Sequence, residues 1–290
     1  MKSNIYDIIT NRIIKKLEQG DIIWKRTWDA RTQAPRSFIS KKRYQGINVF
    51  LLGSMRYQSP WFLTYKQAVD LGGNVRKGEK ACPIVFWSFS EKEDADGNKS
   101  QIPFLRQYSV FNISQVDGLD IPEDSTSTPV IDLDGAEEFD LAEQIANNMP
   151  NKPEVKHGFS RACYIPSQDQ VKMPNRETFT GGSEYFSTLY HELAHSTLHE
   201  TRLNRKFSGE LRHGNMEYSK EELTAELCSA YLTAEAGISQ GVIDNQTAYI
   251  QGWLKALRND NKLLIASAAL AQKACNFIMN RQPEAETATA

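Results

Sequence analysis

Apolar residues recur at Ile5, Ile9, Ile13 and Leu17, the one-sided stripe of an amphipathic helix over Ile5 to Gln19 that Gly20 ends. From Trp24 to Tyr44 basic and aromatic residues alternate with neither helical nor strand period, which predicts a loop-rich segment. Val49 to Leu52 is a short core run, and Trp61 to Ala68 opens an expected helix that stops at Gly72-Gly73. Val75 to Lys80 forms a turn before a strand from Cys82 to Phe89. The charged stretch Glu91 to Ser100 suits a hairpin tip, with Ile102 to Asn112 as the returning strand. Leu119 to Gly135 has linker composition. Beyond it come a helix over Ala136 to Asn148 and extended pieces near Val155, Ala162 and Gln170. A helix marked by Phe186, Leu189, Tyr190 and Leu193 follows, with Ser183-Glu184 as its start. The next begins at Ser219 and carries Leu223, Leu227, Ala230 and Tyr231. The tail from Thr247 to Met279 is helical, with a frayed end from Gln282. These elements predict an α+β protein: a mixed α/β domain over 1–118, a linker over 119–135 and a second domain over 136–290.

Composition narrows the class. A chain of 290 residues with 40% hydrophobic and 24% charged residues is globular in balance, and no apolar run approaches the ~20 residues of a membrane span. The opening Met1 to Asp7 lacks the apolar core of a signal peptide, and the cysteines, Cys82, Cys163, Cys228 and Cys275, are scattered without a C-x-x-C pair. We therefore expect a cytoplasmic protein with buried thiols and no membrane partner.

Net charge of -2 conceals an asymmetry. Residues 1–118 hold 19 Lys and Arg against 11 Asp and Glu, a balance of +8, whereas 119–290 hold 15 against 25, a balance of -10. A basic half inside a near-neutral chain points to a polyanion. Clustered aromatics favour single-stranded nucleic acid, whose phosphates are drawn by charge while unpaired bases stack on rings. Candidate residues are Trp24, Arg26, Trp28, Arg36, Lys41, Lys42, Arg43, Tyr44, Trp61, Tyr65, Lys66, Arg76, Lys77 and Lys80. Any one of these aromatics could instead belong to a core. No groove-reading helix of a duplex binder is evident.

The strongest chemical signal is His191-Glu192-Leu193-Ala194-His195. On a helix the two histidines lie one turn apart on one face and can share an ion, while Glu192 is better placed to act on a water than to ligate. Two His ligands with a Glu base form the zinc-metallopeptidase pattern, so Zn2+ is the expected cofactor, with Mn2+ or another divalent metal possible. His199 is read as a rim residue, because a third ligand of the metzincin type would fall at Thr201. The third ligand is sought in Glu222 or Glu226, four apart on the next helix, one ligating and the other orienting a histidine. Glu222 is preferred because the Glu222-x-x-Ala225 opening resembles the glutamate-supplying helix of HExxH-plus-Glu zincins. Against it, Ser219-x-x-Glu222 also spells a capping box.

Several stretches carry a family resemblance: Tyr44 to Asn48, Trp61 to Ala68, Leu71 to Lys80 and Val110 to Asn112 in the first half, then His191 to His195, Arg202 to Arg205 and Tyr218 to Glu226 in the second. On these the chain resembles the ArdC antirestriction proteins of conjugative plasmids, and its N-terminal half also looks like that of TraC-type plasmid primases. The resemblance implies a single-stranded-DNA-binding domain, a zincin-like peptidase domain with His191, His195 and Glu192 in their family roles, and protection of incoming plasmid DNA from host restriction. A restriction enzyme or another host protein is then a conceivable peptidase substrate. One departure is Leu198-His199, where many relatives show a glycine-histidine pair. The rival reading is a pure single-stranded-DNA-binding protein whose metal site is structural or inactive. Metal-dependent phosphodiester cleavage is disfavoured, since nuclease sites are typically carboxylate-rich and hold two metals.

Overall fold

The structure, a computed structural model, describes residues 4–25, 34–93, 99–119, 138–206, 215–238 and 246–282. Its chain divides into two compact units, one drawing on 4–12 and 34–119, the other on 13–25 and 138–282. The N-terminal half thus does not group as one block. The division falls within helix α1 (Ile5–Glu18), whose apolar stripe is realised with Ile9 and Ile13 fully buried and Leu17 nearly so.

The first unit is built on a four-stranded sheet of β1 (Arg36–Ser37), β2 (Trp61–Thr64), β4 (Cys82–Glu93) and β5 (Lys99–Asn112), in the order β1-β2-β5-β4. β2 runs parallel to β1 and antiparallel to β5, and the long β4–β5 hairpin pairs Cys82 with Val110 through to Glu93 with Lys99. Helix α2 (Ile47–Gly53) is the buried run around Val49 to Leu52, and Asn48 pins it to β4 by exchanging hydrogen bonds of 2.7 and 2.8 Å with the Val85 carbonyl and amide. The expected helix from Trp61 begins later: Trp61–Thr64 is strand, and helix α3 covers Tyr65–Asp70. The reason is local and tertiary together. Phe62 and Leu63 both point into buried surroundings at the sheet centre, and Thr64 caps α3 in a reciprocal box with Gln67. A small ladder of β3 (Asn74–Val75) and β6 (Val116–Asp117) completes the unit.

In the second unit helix α4 (Glu138–Asn147) precedes a three-stranded sheet of β7 (Glu154–Lys156), β8 (Cys163–Ile165) and β9 (Gln170–Lys172), ordered β7-β9-β8, so that β8 is an edge. Helices α5 (Gly182–Ser196), α6 (Met216–Glu235), α7 (Gln246–Asn259) and α8 (Leu263–Ile278) follow. Leu189, Tyr190 and Leu193 of α5, Leu223, Leu227 and Ala230 of α6, and Leu264, Ala268 and Ala271 of α8 are buried, so apolar burial fixes the site-bearing helices. Gly182 lets α5 start close against α4, since a Cβ there would stand 2.6 Å from the Phe139 ring. The tail expected as helix from Thr247 to Met279 is two helices broken after Asn259. Among the described residues no helix is long and apolar enough to cross a membrane. All four cysteines are free; Cys163 is partly exposed and the others are buried. The expected linker falls outside the described residues apart from Leu119 at its start. Of the hairpin tip expected over Glu91 to Ser100, Glu91 to Glu93 and Lys99 to Ser100 are strand and 94–98 lie outside the described residues, as does the end from 283 onward.

Candidate metal centre and nucleic-acid surface

α5 starts at Gly182, not at a Ser183 cap. Glu184 instead folds back to accept from the Thr180 amide and hydroxyl, both at 2.7 Å, and these bonds lower its pKa. The helix carries His191 and His195 onto one face with their Nε2 atoms 3.1 Å apart. α6 starts earlier than its sequence suggests. Asn215 caps it by accepting from the Tyr218 amide at 2.7 Å, which leaves Ser219 inside the helix and frees Glu222 from the capping box. Glu222 then turns toward both histidines, its carboxylate oxygens 3.6 Å from His191 Nε2 and 3.7 Å from His195 Nε2.

One donor atom each from His191, His195 and Glu222 lies within 4.8 Å of the others. Chemistry decides what this set fits. His195 Nδ1 is 3.0 Å from Glu221 Oε1, and an ionised carboxylate only accepts, so Nδ1 bears the proton and the Nε2 lone pair faces His191 and Glu222. Two imidazole nitrogens and a carboxylate converging in this way suit a divalent cation of the zinc class. Burial by itself would lower the pKa of His191. The hydrogen bond that the protonated ring donates to Glu222 and the charges of Glu226, Glu192 and Glu222 outweigh it and raise the value to about 9. Burial likewise works against ionisation of Glu222, but the two histidines and the Tyr218 hydroxyl bring its pKa down. Tyr218, one turn before Glu222, was not singled out as a role-bearing residue from the sequence; burial and then Glu222 raise its pKa.

Glu192 is 8% exposed, and its Oε2 accepts from the Tyr164 amide on edge strand β8 at 2.8 Å. The Tyr164 hydroxyl donates to Asp169 Oδ1 at 2.8 Å, and buried Arg202 grips Asp169, the Tyr164 hydroxyl and the Ser196 carbonyl. Burial, then the bond to Asp169, pushes the Tyr164 phenol up to about 12. Glu226 is not in the donor set; its carboxylate hydrogen-bonds Tyr249. The carboxylate at His195 Nδ1 is instead that of Glu221, which precedes Glu222 in sequence, with Arg205 forked onto it at 2.6 and 3.0 Å. His199 stands outside the donor set, its Nδ1 2.9 Å from the Thr201 hydroxyl.

The nucleic-acid candidates separate by burial. Trp24 is fully enclosed, donating to Tyr249 at 2.9 Å and edge-on to Trp253, and Tyr44 is 9% exposed, so neither ring offers a face to a base. Burial raises the Tyr44 phenol well above its ordinary range. Arg26 and Trp28 lie outside the described residues. Lys41, Lys42 and Arg43 are exposed, as are Lys66, Lys77 and Lys80. Lys41, held at a φ of 60°, places its ammonium 4.0 Å from the Phe38 ring centre and 4.9 Å from that of Trp61, over which Arg36 also lies at 5.9 Å. Tyr65 is 54% exposed. Arg76 is engaged by Asp117 and Glu79. Exposed Trp87 and Phe89 on β4 were not among the sequence candidates, because a strand with apolar residues reads as core.

Comparison with known proteins agrees with this architecture. Residues 3–111 match the N-terminal domain of anti-restriction factor ArdC, and residues 141–270 match a zincin-like metallopeptidase family. The crystal structure of the antirestriction ArdC protein from plasmid R388 in its metal-free form superposes with a TM-score of 0.75 at 34% identity, covering 97% of this chain and all of that one. Its Mn(II)-bound form gives the same TM-score and identity. An uncharacterised protein, y4eC, of Sinorhizobium fredii is 32% identical over 98% of this chain and 94% of its own. A DNA primase TraC of Escherichia coli is 33% identical over 96% of this chain, which spans only 27% of the primase. The chain belongs to the ArdC family of antirestriction proteins.

Proposed function

We propose that this antirestriction protein binds single-stranded DNA through its basic N-terminal region and holds a divalent metal, Zn2+ or Mn2+, in a peptidase site on its C-terminal unit, shielding entering plasmid DNA in the recipient cytoplasm. The observation that supports the metal reading is the convergence of His191, His195 and Glu222 with Glu192 beside them on the same helix. A divalent ion held there supplies Lewis acidity toward a peptide carbonyl and a water. Glu192 is the group that takes the proton of that water, and its hydrogen bond from the Tyr164 amide aims it along the β8 edge. That edge can seat an extended peptide by β-augmentation. The R388 relative has a Mn(II)-bound form, in keeping with this donor set.

The DNA reading draws on the +8 balance of residues 1–118, the exposed Lys41-Lys42-Arg43 run and the cation-covered Trp61. Exposed Tyr65, with Trp87 and Phe89, supplies stacking faces worth about 1–3 kcal/mol per base. Binding of the full chain to single-stranded and duplex oligonucleotides across a salt series tests it. Preference for the single strand with a steep salt dependence is expected; equal affinities, or binding that persists in molar salt, contradict it.

A further inference from the structure

Loop residues 202–205, after α5, reach back to both halves of the metal centre. Arg202 serves the β8 side, where it holds Asp169 and the Tyr164 hydroxyl. Arg205 serves the ligand side. Its Nη1 donates to Glu221 Oε2 at 2.6 Å, and its Nη2 donates to Glu221 Oε1, the Ala194 carbonyl and the Thr197 hydroxyl, each at 3.0 Å. The guanidinium therefore clamps the last turn of α5 on either side of His195 and presents a carboxylate to its ring. Both partners are buried, the Arg205 side chain 8% and the Glu221 side chain 4% exposed.

We propose that Arg205 and Glu221 are positioning residues for the metal, fixing His195 in the tautomer and ring orientation whose Nε2 lone pair faces His191 and Glu222. The inference rests on the divalent-metal reading above. Glu226, the residue expected to orient a histidine, is occupied by Tyr249, whereas Glu221 lies at hydrogen-bond distance from His195. A guanidinium only donates and a carboxylate only accepts, so the order Arg205, Glu221, His195 puts a proton on Nδ1, and in the neutral ring, the form that ligates a metal, Nε2 is then the free lone pair. Glu221→Gln keeps the shape but reverses the logic. The amide oxygen must face Arg205, which turns the NH2 group toward His195 Nδ1 and favours the tautomer with a proton on Nε2, where the metal belongs. Loss of such an orienting partner typically weakens metal affinity by about 10–100-fold.

The test is Mn2+ titration by calorimetry on the full chain and on Glu221→Gln, Arg205→Lys, Glu235→Gln and His191→Ala, with 15N histidine spectra of the metal-free proteins. Wild type should bind far more tightly than His191→Ala. Glu221→Gln should lose about 10–100-fold in affinity and shift His195 toward the Nε2–H tautomer, with Arg205→Lys losing less. Glu235→Gln, which removes the Arg281 ion pair at the far end of α6, should retain wild-type affinity and separate positioning from general loosening. A wild type that binds Mn2+ while Glu221→Gln matches it within twofold overturns the proposal and leaves the metal reading standing. A wild type no tighter than His191→Ala overturns the metal reading, and this proposal with it.

Discussion

The two chemically marked regions of this protein are built on opposite principles. Around the HExxH helix, charged groups are held by named partners: Arg205 on Glu221, Glu221 on His195, Arg202 on Asp169, and the Tyr164 amide on Glu192. In the loop after β1 the cations at Lys41, Lys42 and Arg43 are exposed, and Lys41 lies over the Phe38 and Trp61 rings. A site that must converge on one ion needs fixed lone pairs, and burial with hydrogen bonds fixes them. A surface that meets a flexible polyanion draws on charge summed over many weak contacts, each of which can move. Substitutions should therefore act steeply and singly in the first region, gradually and additively in the second.

The largest effect expected sharpens the boundary between them. Trp24 carries an aromatic ring in the basic N-terminal stretch, yet it is fully buried against Trp253 and Tyr249. Trp24→Ala should cost about 3–5 kcal/mol of stability by denaturant unfolding. A cost below about 1 kcal/mol, with DNA affinity lost instead, would return Trp24 to the binding surface. Next in size, His195→Ala should reduce Mn2+ affinity by on the order of 100-fold or more in calorimetry while single-stranded DNA binding stays within twofold. Loss of both together would erase the contrast.

Replacing Lys41, Lys42 and Arg43 together by Ala should weaken single-stranded DNA binding by about tenfold at moderate salt and make the salt slope shallower by roughly 2. Metal affinity should be untouched. A collapse caused by any one of the three alone would mean a specific contact, contrary to a summed-charge surface. The smallest effect concerns acid. The hydrogen bond from Arg202 holds the Asp169 pKa below its usual value, with burial opposing and the Tyr164 hydroxyl assisting. Stability from this pair is present above the unfolded carboxylate value near 3.9 and is lost as pH falls through the lower folded value. Asp169→Asn should thus flatten the acid limb of a stability–pH profile below about pH 4, and an unchanged limb would contradict the linkage.

Much of this was legible in the residues, unevenly and for physical reasons. The stripe of α1, the β4–β5 hairpin and the helix bearing His191 and His195 follow from periodicity and composition that local sequence carries. Trp61 to Thr64 misled because both faces of β2 are covered, which removes the alternation that marks a strand. The start of α6 misled because Asn215 and Ser219 are both acceptable caps, and only the fold selects the earlier one. Glu221 and Glu222 are adjacent in sequence. What separates the carboxylate at His195 Nδ1 from the one facing both Nε2 atoms is the position of Arg205, which comes from a loop and is visible only in three dimensions.

On the proposed function, protection depends on covering DNA and is separable from the HExxH centre. The most direct measurement is transfer of unmodified plasmid DNA into a restricting host carrying the wild type, Glu192→Ala or the Lys41/Lys42/Arg43 triple variant, each at matched protein level. Glu192→Ala should still protect at least in part, and the triple variant should protect poorly despite normal metal binding. Complete loss of protection in Glu192→Ala, with DNA affinity and protein level normal, would contradict the account and make proteolysis the working step.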